Sequence, residues 1–217
     1  MSLTIYGIAS SRAICPLWAA TELGVQFRHV LTPFSGGATR SPDFLALNPN
    51  GHIPVLVDTR PEGDVVMWES MACTLYIARH HGVADGQSIT PATPAEDADA
   101  LRWSFWTVTE CEADALTVLM HRMVLPTDRR KPELAEAAEK RLMVSLGVVE
   151  RYLAGQQAKG QLYLAAQRFT VADLCVSSVL NWARPAKALM QAHPLVSDWL
   201  VRCIERPAQQ IAKALGS

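Results

Sequence analysis

The strongest feature of this chain is the stretch Asn48-Pro49-Asn50-Gly51-His52-Ile53-Pro54-Val55-Leu56. A proline that begins a strand inside an α/β domain is unusual, because it gives up one hydrogen-bond donor of the ladder. A cis Ile53-Pro54 bond would account for it by turning the preceding backbone outward as an exposed, extended edge. An edge of that kind can pair with a peptide ligand as an added strand. An ordinary trans proline at the start of a strand is the alternative.

The segments around this stretch predict a small mixed sheet. Strand-like runs rich in β-branched and aromatic residues occur at residues 3–7, 25–31, 53–58 and 65–68. A helix between the first two runs can be capped by Ser10 or Ser11, and a second helix opens at Glu69-Ser70. The last two runs read as an antiparallel hairpin. The predicted order is therefore β-α-β-(α)-β-β-α, which begins with the unit that builds a parallel strand pair.

The rest of the chain predicts a second, different domain. Residues 84–95 contain Gly86, Pro91 and Pro94 without apolar periodicity, which is typical of a linker. Residues 96–217 show helical spacing throughout. We therefore expect an α/β domain at residues 1–83, a linker at 84–95 and an all-helical domain at 96–217.

Composition excludes several function classes. The 217 residues are 49% hydrophobic and 19% charged with a formal net charge of −1, so the chain can bury a core and has no bulk charge that would favour nucleic acid or an anionic membrane. No apolar run is long enough to span a bilayer, and no signal peptide is recognisable. Scattered cysteines argue against a disulfide framework or a zinc site and favour a reducing, cytosolic setting; they are Cys15, Cys73, Cys111, Cys175 and Cys203.

Glu69 and Ser70 stand where a strand ends and a helix begins. A helix N-terminus presents free N–H groups and the positive end of a dipole, so it binds a carboxylate well. Ser70 can add a hydroxyl, and Glu69 can accept from an ammonium group. Together they would bind an amino-acid head group that carries both charges, although a plain helix cap is the alternative.

Three ordered motifs, IYG…SSR…LWAATELG, NPNGHIPVL and ESMACTLYIA, closely resemble the N-terminal domain of cytosolic glutathione transferases over about 80 residues. Phe169-Thr170-Val171-Ala172-Asp173 resembles the helix-opening capping motif of the family's second domain, where Thr170 and Asp173 would form a structural capping box. The resemblance implies a thioredoxin-like N-terminal domain followed by an all-α domain. It also implies a cytoplasmic homodimeric enzyme that uses glutathione as co-substrate, with no metal, on an electrophilic small molecule.

The resemblance assigns binding roles to five residues of the first domain. Ile53, beside cis Pro54, would pair backbone-to-backbone with the cysteinyl part of glutathione. Glu69 and Ser70 would hold the γ-glutamyl end. His52 stands where relatives often carry lysine or glutamine facing the glycyl carboxylate; a solvated loop histidine is the alternative.

The glutathione thiol needs a group that stabilises its anion, because a thiol of pKa near 8.5 is only slightly ionised at neutral pH. A hydroxyl at a helix N-terminus can do so. We favour Ser11, then Ser10, then Tyr6, and Arg12 either strengthens the positive field or is solvated. Cys15 is expected to be a core thiol; as a nucleophile it would imply thiol exchange instead.

Large apolar side chains of the second domain are candidates for the acceptor pocket, which we expect over the thiol against the first long helix: Trp103, Phe105, Trp106, Met120 and Met123. Trp106 and Met123 form the preferred wall, and some of the others must belong to the core.

Two other functions remain open. One is a glutathione-dependent isomerase of the maleylacetoacetate type, whose fuller serine-cysteine signature is missing here. The other is a non-catalytic binding module with the same fold.

Overall fold

The computed structural model describes residues 2–216, and their contacts form two compact units. The first unit holds the chain up to Pro91 together with the segment from Arg206 onward, and the second is Ala92–Glu205. The first boundary lies inside the predicted linker. The return of the last segment to the first unit corrects the prediction that residues 96–217 form one helical domain.

A four-stranded mixed sheet organises the first unit, in the order β2-β1-β3-β4. Its strands are β1 (Ser2–Gly7), β2 (Phe27–Leu31), β3 (Val55–Thr59) and β4 (Val65–Trp68). β1 pairs in parallel with β2 and antiparallel with β3, and β3 and β4 form the antiparallel hairpin. Ile5 lies opposite Leu56, and both are fully buried at the centre of the sheet. The thioredoxin-like fold predicted from the sequence is thereby confirmed.

The α-helices described in this unit are α1 (Ile14–Glu22), α2 (Pro42–Leu47), α3 (Ser70–His80) and α10 (Pro207–Ala214). α1 packs against α3 and α10. Glu22, near the end of α1, accepts hydrogen bonds from Arg206 and from the indole nitrogen of Trp18. α2 was predicted only as an optional helix; Ser41 caps it by accepting from the backbone N–H of Phe44.

The second unit is helical, as predicted. Its α-helices are α4 (Pro94–Thr107), α5 (Ala113–Leu119), α6 (Pro132–Gln157), α7 (Val171–Leu180), α8 (Lys187–Gln191) and α9 (Pro194–Ile204). Leu146, Leu174 and Trp199 are buried at its centre. Two π-helical segments flank α5: Val108–Glu112 follows α4 directly, and Met120–Val124 follows α5.

The capping motif at the start of α7 has the predicted structure. Asp173 accepts from both the backbone N–H and the hydroxyl of Thr170, at 2.9 and 3.0 Å. Its other oxygen accepts from the backbone N–H of Leu164 and the indole N–H of Trp199, at 2.8 and 2.9 Å. Asp173 is fully buried and holds four donors, so its role is to position α7.

Between residues 2 and 216, no helix combines the length and the apolar character needed to cross a membrane.

Candidate functional site

A cleft of about 400 Å³ lies in the first unit and brings together three residues of the predicted site, Ser11, His52 and Ile53. Arg12 borders the cleft next to Ser11. The remaining lining comes from the segment before α2 and from the turn after it: Phe34, Gly37, Thr39, Arg40 and Gly51. The start of α1 and the chain leading into β3 therefore meet at one concavity.

The chain leading into β3 is held by Asn48. The Ile53-Pro54 peptide bond is cis, as predicted. Asn48 is 2% exposed; its amide nitrogen donates to the carbonyl of His52 at 2.7 Å, and its side-chain oxygen accepts from the backbone N–H of Asn50 at 3.0 Å. These bonds fix the turn that presents Ile53 at the cleft. Asn48 belongs to the motif Asn48–Leu56, but no local sequence pattern predicts that it holds this turn.

Of the three candidate hydroxyls, only Ser11 belongs to the cleft lining. Its Oγ donates to the carbonyl of Ile8 at 2.7 Å and accepts from the backbone N–H of Ala13 at 3.1 Å. Ser10 is exposed, and Tyr6 contacts Phe44 edge-to-face with 6.3 Å between the ring centroids. Ser11 thus caps the turn before α1, and its hydroxyl hydrogen must rotate away from Ile8 to reach a ligand.

Glu69 and Ser70 occupy the predicted strand-to-helix junction. Glu69 is exposed at the N-cap of α3 with φ 72° and ψ 117°, a backbone conformation that residues other than glycine adopt at a cost. Ser70 is 8% exposed, and its Oγ accepts a hydrogen bond of 3.1 Å from Nε of Arg12. Neither residue lines the cleft itself, but Arg12 joins Ser70 to it.

Arg40 is a cleft residue that the sequence analysis did not identify. It ends the 3₁₀ turn Ala38–Arg40, and its Nη1 donates to the carbonyl of Asn50 at 3.2 Å. Arg40 and His52 both border the cleft. No spacing signal in residues 33–50 indicates this contact, because it joins the segment before α2 to the turn after α2, and these meet only in the folded chain.

Cys15 is fully buried within α1, as expected for a core thiol. The other cysteines are buried too. Burial raises the pKa of the Cys73 and Cys111 thiols to about 12, which keeps both protonated at neutral pH. Among residues 2–216, no three histidine, cysteine, aspartate or glutamate side chains gather into a group that could hold a metal ion.

The candidate residues of the acceptor pocket differ in the exposed fraction of their side chains. Trp103 is 4% exposed, with its ring edge-on to Trp106 and Tyr152 at 5.2 and 4.9 Å and with the guanidinium of Arg102 5.4 Å from its centroid. These contacts place Trp103 in the core of the helical unit, and its assignment to the acceptor pocket stays a prediction. Met123 is 57% exposed, which leaves its side chain accessible.

Comparison with known proteins agrees with this geometry. The family model of the glutathione S-transferase N-terminal domain matches residues 1–79, and that of the C-terminal domain matches residues 108–207. The chain is 33% identical over 217 residues to glutathione S-transferase 3 of Zea mays, covering 96% of this chain and 91% of that protein.

Two solved structures extend the comparison. Glutathione S-transferase III in apo form has a TM-score of 0.79 at 31% identity, covering 99% of this chain and 97% of that one. The theta-class glutathione S-transferase of Xanthomonas axonopodis pv. citri, solved with glutathione bound, has a TM-score of 0.79 at 27% identity and covers 99% and 98%. With both family models matched across this two-part fold, the chain belongs to the glutathione S-transferase family.

Proposed function

We propose that this protein is a glutathione transferase that activates the thiol of glutathione for attack on an electrophilic, largely apolar small molecule. The observation that carries the proposal is the cleft of the first unit, where Ser11 at the start of α1 meets the chain at Ile53. Two proteins named glutathione S-transferase are similar to this one over 96% and 95% of its length. A homodimer in the cytoplasm is the working form that we propose with it.

Glutathione carries two carboxylates, one ammonium and one thiol, and the unit offers a group for each. The backbone of Ile53 pairs with the cysteinyl residue as an added strand. Glu69 and Ser70 bind the γ-glutamyl head group at the N-terminus of α3. Arg40 and His52 both border the cleft, and we assign the glycyl carboxylate to them because a guanidinium gives a carboxylate a charge-assisted hydrogen bond.

Thiol activation falls to Ser11. When its hydroxyl rotates from the Ile8 carbonyl to the sulfur, the hydrogen bond favours the thiolate and lowers the thiol pKa, with each unit equivalent to about 1.4 kcal/mol. The thiol proton leaves to water. The thiolate then forms a sulfur–carbon bond with the electrophile, whose leaving group departs with the electron pair of the broken bond. We propose that Trp106 and Met123 contact the electrophilic acceptor substrate.

The first test is retention on immobilised glutathione, followed by a conjugation assay with a generic aryl halide. We expect Ser11→Ala to lower kcat by about 10²-fold with the glutathione Kd nearly unchanged, as for loss of one donor to a developing anion. Ser10→Ala is the matched control and should retain wild-type turnover, as should Tyr6→Phe. Full turnover in Ser11→Ala would overturn the assignment, and a loss confined to Ser10→Ala would move it by one residue.

The second test concerns the head group. Glu69→Ala and Ser70→Ala should each weaken glutathione binding, measured by calorimetry, because each removes a partner of the γ-glutamyl end. Wild-type affinity in both variants would contradict this part of the proposal.

Retention on glutathione without turnover of any electrophile would favour the binding module over the enzyme. Turnover of a cis-enone substrate without net consumption of glutathione would favour the isomerase.

A further inference from the structure

Arg12 connects two parts of the site that are distant in sequence. Its Nε donates to Oγ of Ser70 at 3.1 Å across a separation of 58 residues. Both of its terminal nitrogens are sealed from solvent. Arg12 thus lines the cleft beside Ser11 while its Nε is bonded to Ser70 at the start of α3.

The hydrogen bond determines what Ser70 can offer a ligand. A hydroxyl has one hydrogen to donate and two lone pairs to accept with, and a guanidinium has donors only. Because Arg12 occupies a lone pair of Ser70, the hydroxyl hydrogen cannot be given back to Arg12 and is available to an acceptor. Ser70 opens α3, where backbone N–H groups and the helix dipole already favour an anion. The hydroxyl is thus set as a donor to a carboxylate.

The charge of Arg12 acts in the same direction. A guanidinium is protonated at every pH of interest, so it is a permanent positive charge beside the N-terminus of α3. Burial of its terminal nitrogens keeps that charge weakly screened by solvent and salt. Loss of Arg12 removes both the charge and the orientation of the Ser70 hydroxyl.

We propose that Arg12 is a positioning residue that acts through Ser70, holding its hydroxyl as a donor and giving the site its preference for the α-carboxylate of the γ-glutamyl group. This inference rests on the proposed function and deepens it, since it names the residue behind recognition of one carboxylate of glutathione. The effect of Arg12 on the α-carboxylate passes through the Ser70 hydroxyl, to which its Nε donates.

The test compares two ligands on three variants by calorimetry. The ligands are glutathione and γ-aminobutyryl-cysteinyl-glycine, which lacks only the α-carboxylate. We expect Arg12→Met to weaken glutathione binding at least tenfold and to change binding of the analogue less than twofold. Ser70→Ala should give the same pattern. The double variant should be no weaker than the worse single one within twofold, because the two residues act on one carboxylate.

Arg12→Lys is the matched control for charge and folding. It keeps a cation and a donor, and it should recover glutathione affinity to within about threefold of wild type. In the conjugation assay, Arg12→Met should raise the glutathione KM with kcat nearly unchanged. If Arg12→Met does not fold, as judged by thermal unfolding, Arg12→Lys and Arg12→Gln make the same comparison, with a larger loss in the neutral variant.

The outcomes distinguish the inference from the function on which it rests. Equal losses for both ligands, or additive losses in the double variant, would make Arg12 a structural residue and overturn the inference while glutathione binding stands. A wild-type protein that binds neither ligand would overturn the proposed function, and this inference with it.

Discussion

Gly51 shows at the residue scale how the backbone makes room for a functional side chain. It has a left-handed conformation with φ +63°, and a Cβ at this position would lie 2.7 Å from Nη1 of Arg40 and 2.8 Å from the carbonyl oxygen of Thr39. Only glycine accepts both the dihedral angle and the contact. Arg40 therefore lies over Gly51 at the cleft because no side chain stands in its way.

Gly51→Ala should displace the Arg40 guanidinium and raise the glutathione KM several-fold, with a smaller effect on kcat. Gly24→Ala is the matched control, because Gly24 has nearly the same backbone angle, φ +65°, with nothing within 4 Å of an added Cβ. Both variants should lose about 1 kcal/mol of stability from the left-handed angle. Gly51→Ala should lose more, because its Cβ also meets the carbonyl oxygen of Thr39. Steady-state kinetics with glutathione as the varied substrate checks the prediction; equal KM values in the two variants would contradict it.

Asp58 is a second residue whose surroundings decide its chemistry. It is fully buried on β3, and its Oδ2 accepts from Arg60, Tyr76 and His81 at 2.7, 2.9 and 2.9 Å. Burial raises the pKa of the Asp58 carboxyl, but the three hydrogen bonds outweigh burial and hold the pKa below its ordinary value. The ionised carboxylate therefore ties the end of α3 to the sheet.

The pH dependence of stability follows from that direction. A carboxyl whose folded pKa is lowered contributes stability that is complete above its unfolded pKa, about 4, and is lost as pH falls through the folded pKa. Asp58→Asn should cost about 2 kcal/mol at neutral pH, and the difference from wild type should shrink below about pH 4. Urea denaturation at several pH values measures it, with Asp64→Asn in the exposed hairpin turn as control. A difference that persists unchanged into acid would contradict the prediction.

At the scale of elements, the start of α7 depends on a single carboxylate. Asp173 accepts from two backbone N–H groups that precede the helix, from the Thr170 hydroxyl and from the Trp199 indole in α9. One side chain thus joins a loop, a helix cap and a neighbouring helix. The sequence predicted the capping box, whereas the contacts with Leu164 and Trp199 depend on packing.

Asp173→Ala should destabilise the protein by about 3–5 kcal/mol, because several buried donors lose their acceptor at once. Asp198→Ala, at an exposed position of α9, is the control and should stay within about 0.5 kcal/mol of wild type. Chemical denaturation followed by circular dichroism gives both values. A cost below about 1 kcal/mol for Asp173→Ala would mean that water replaces the lost acceptor.

At the scale of the whole molecule, the chain returns to the unit where it began. α10 packs against α1, and Ala212 on α10 is fully buried. The carbonyl of Gly216 accepts from the backbone N–H of Ala9 at 3.0 Å, two residues before Ser11. The last segment therefore supports the helix and the turn that carry the proposed thiol-activating hydroxyl.

Ala212→Glu should loosen the first unit, because it places an unpaired charge where a methyl group is buried. We expect a loss of at least about 3 kcal/mol and faster amide exchange in α1 than in α7 under native conditions. Ala214→Glu, exposed on the same helix, is the matched control. Hydrogen exchange with mass spectrometry reads the two helices separately; unchanged protection of α1 would contradict the role given to α10.

The sequence by itself determined the local elements of this protein. The strand runs, the hairpin, the Thr170–Asp173 capping box and the change from sheet to helices could all be predicted, because each depends on side-chain period, turn chemistry or a motif within a few residues. The cis Ile53-Pro54 bond followed from the family resemblance, since the residues alone left a trans bond open. The family followed from three such motifs in order.

Only the tertiary structure decided which distant residues meet. Several contacts join residues whose separation in the chain carries no periodic signal. They are the hydrogen bond from Arg12 to Ser70, the position of Arg40 over Gly51, the burial of Trp103 and the packing of α10 against α1. Which of Tyr6, Ser10 and Ser11 lines the cleft belongs here too, since a turn directs each side chain and a shift by one residue changes which hydroxyl borders the cleft. Such contacts are set by packing of whole elements, in which burial and hydrogen-bond satisfaction are decided collectively.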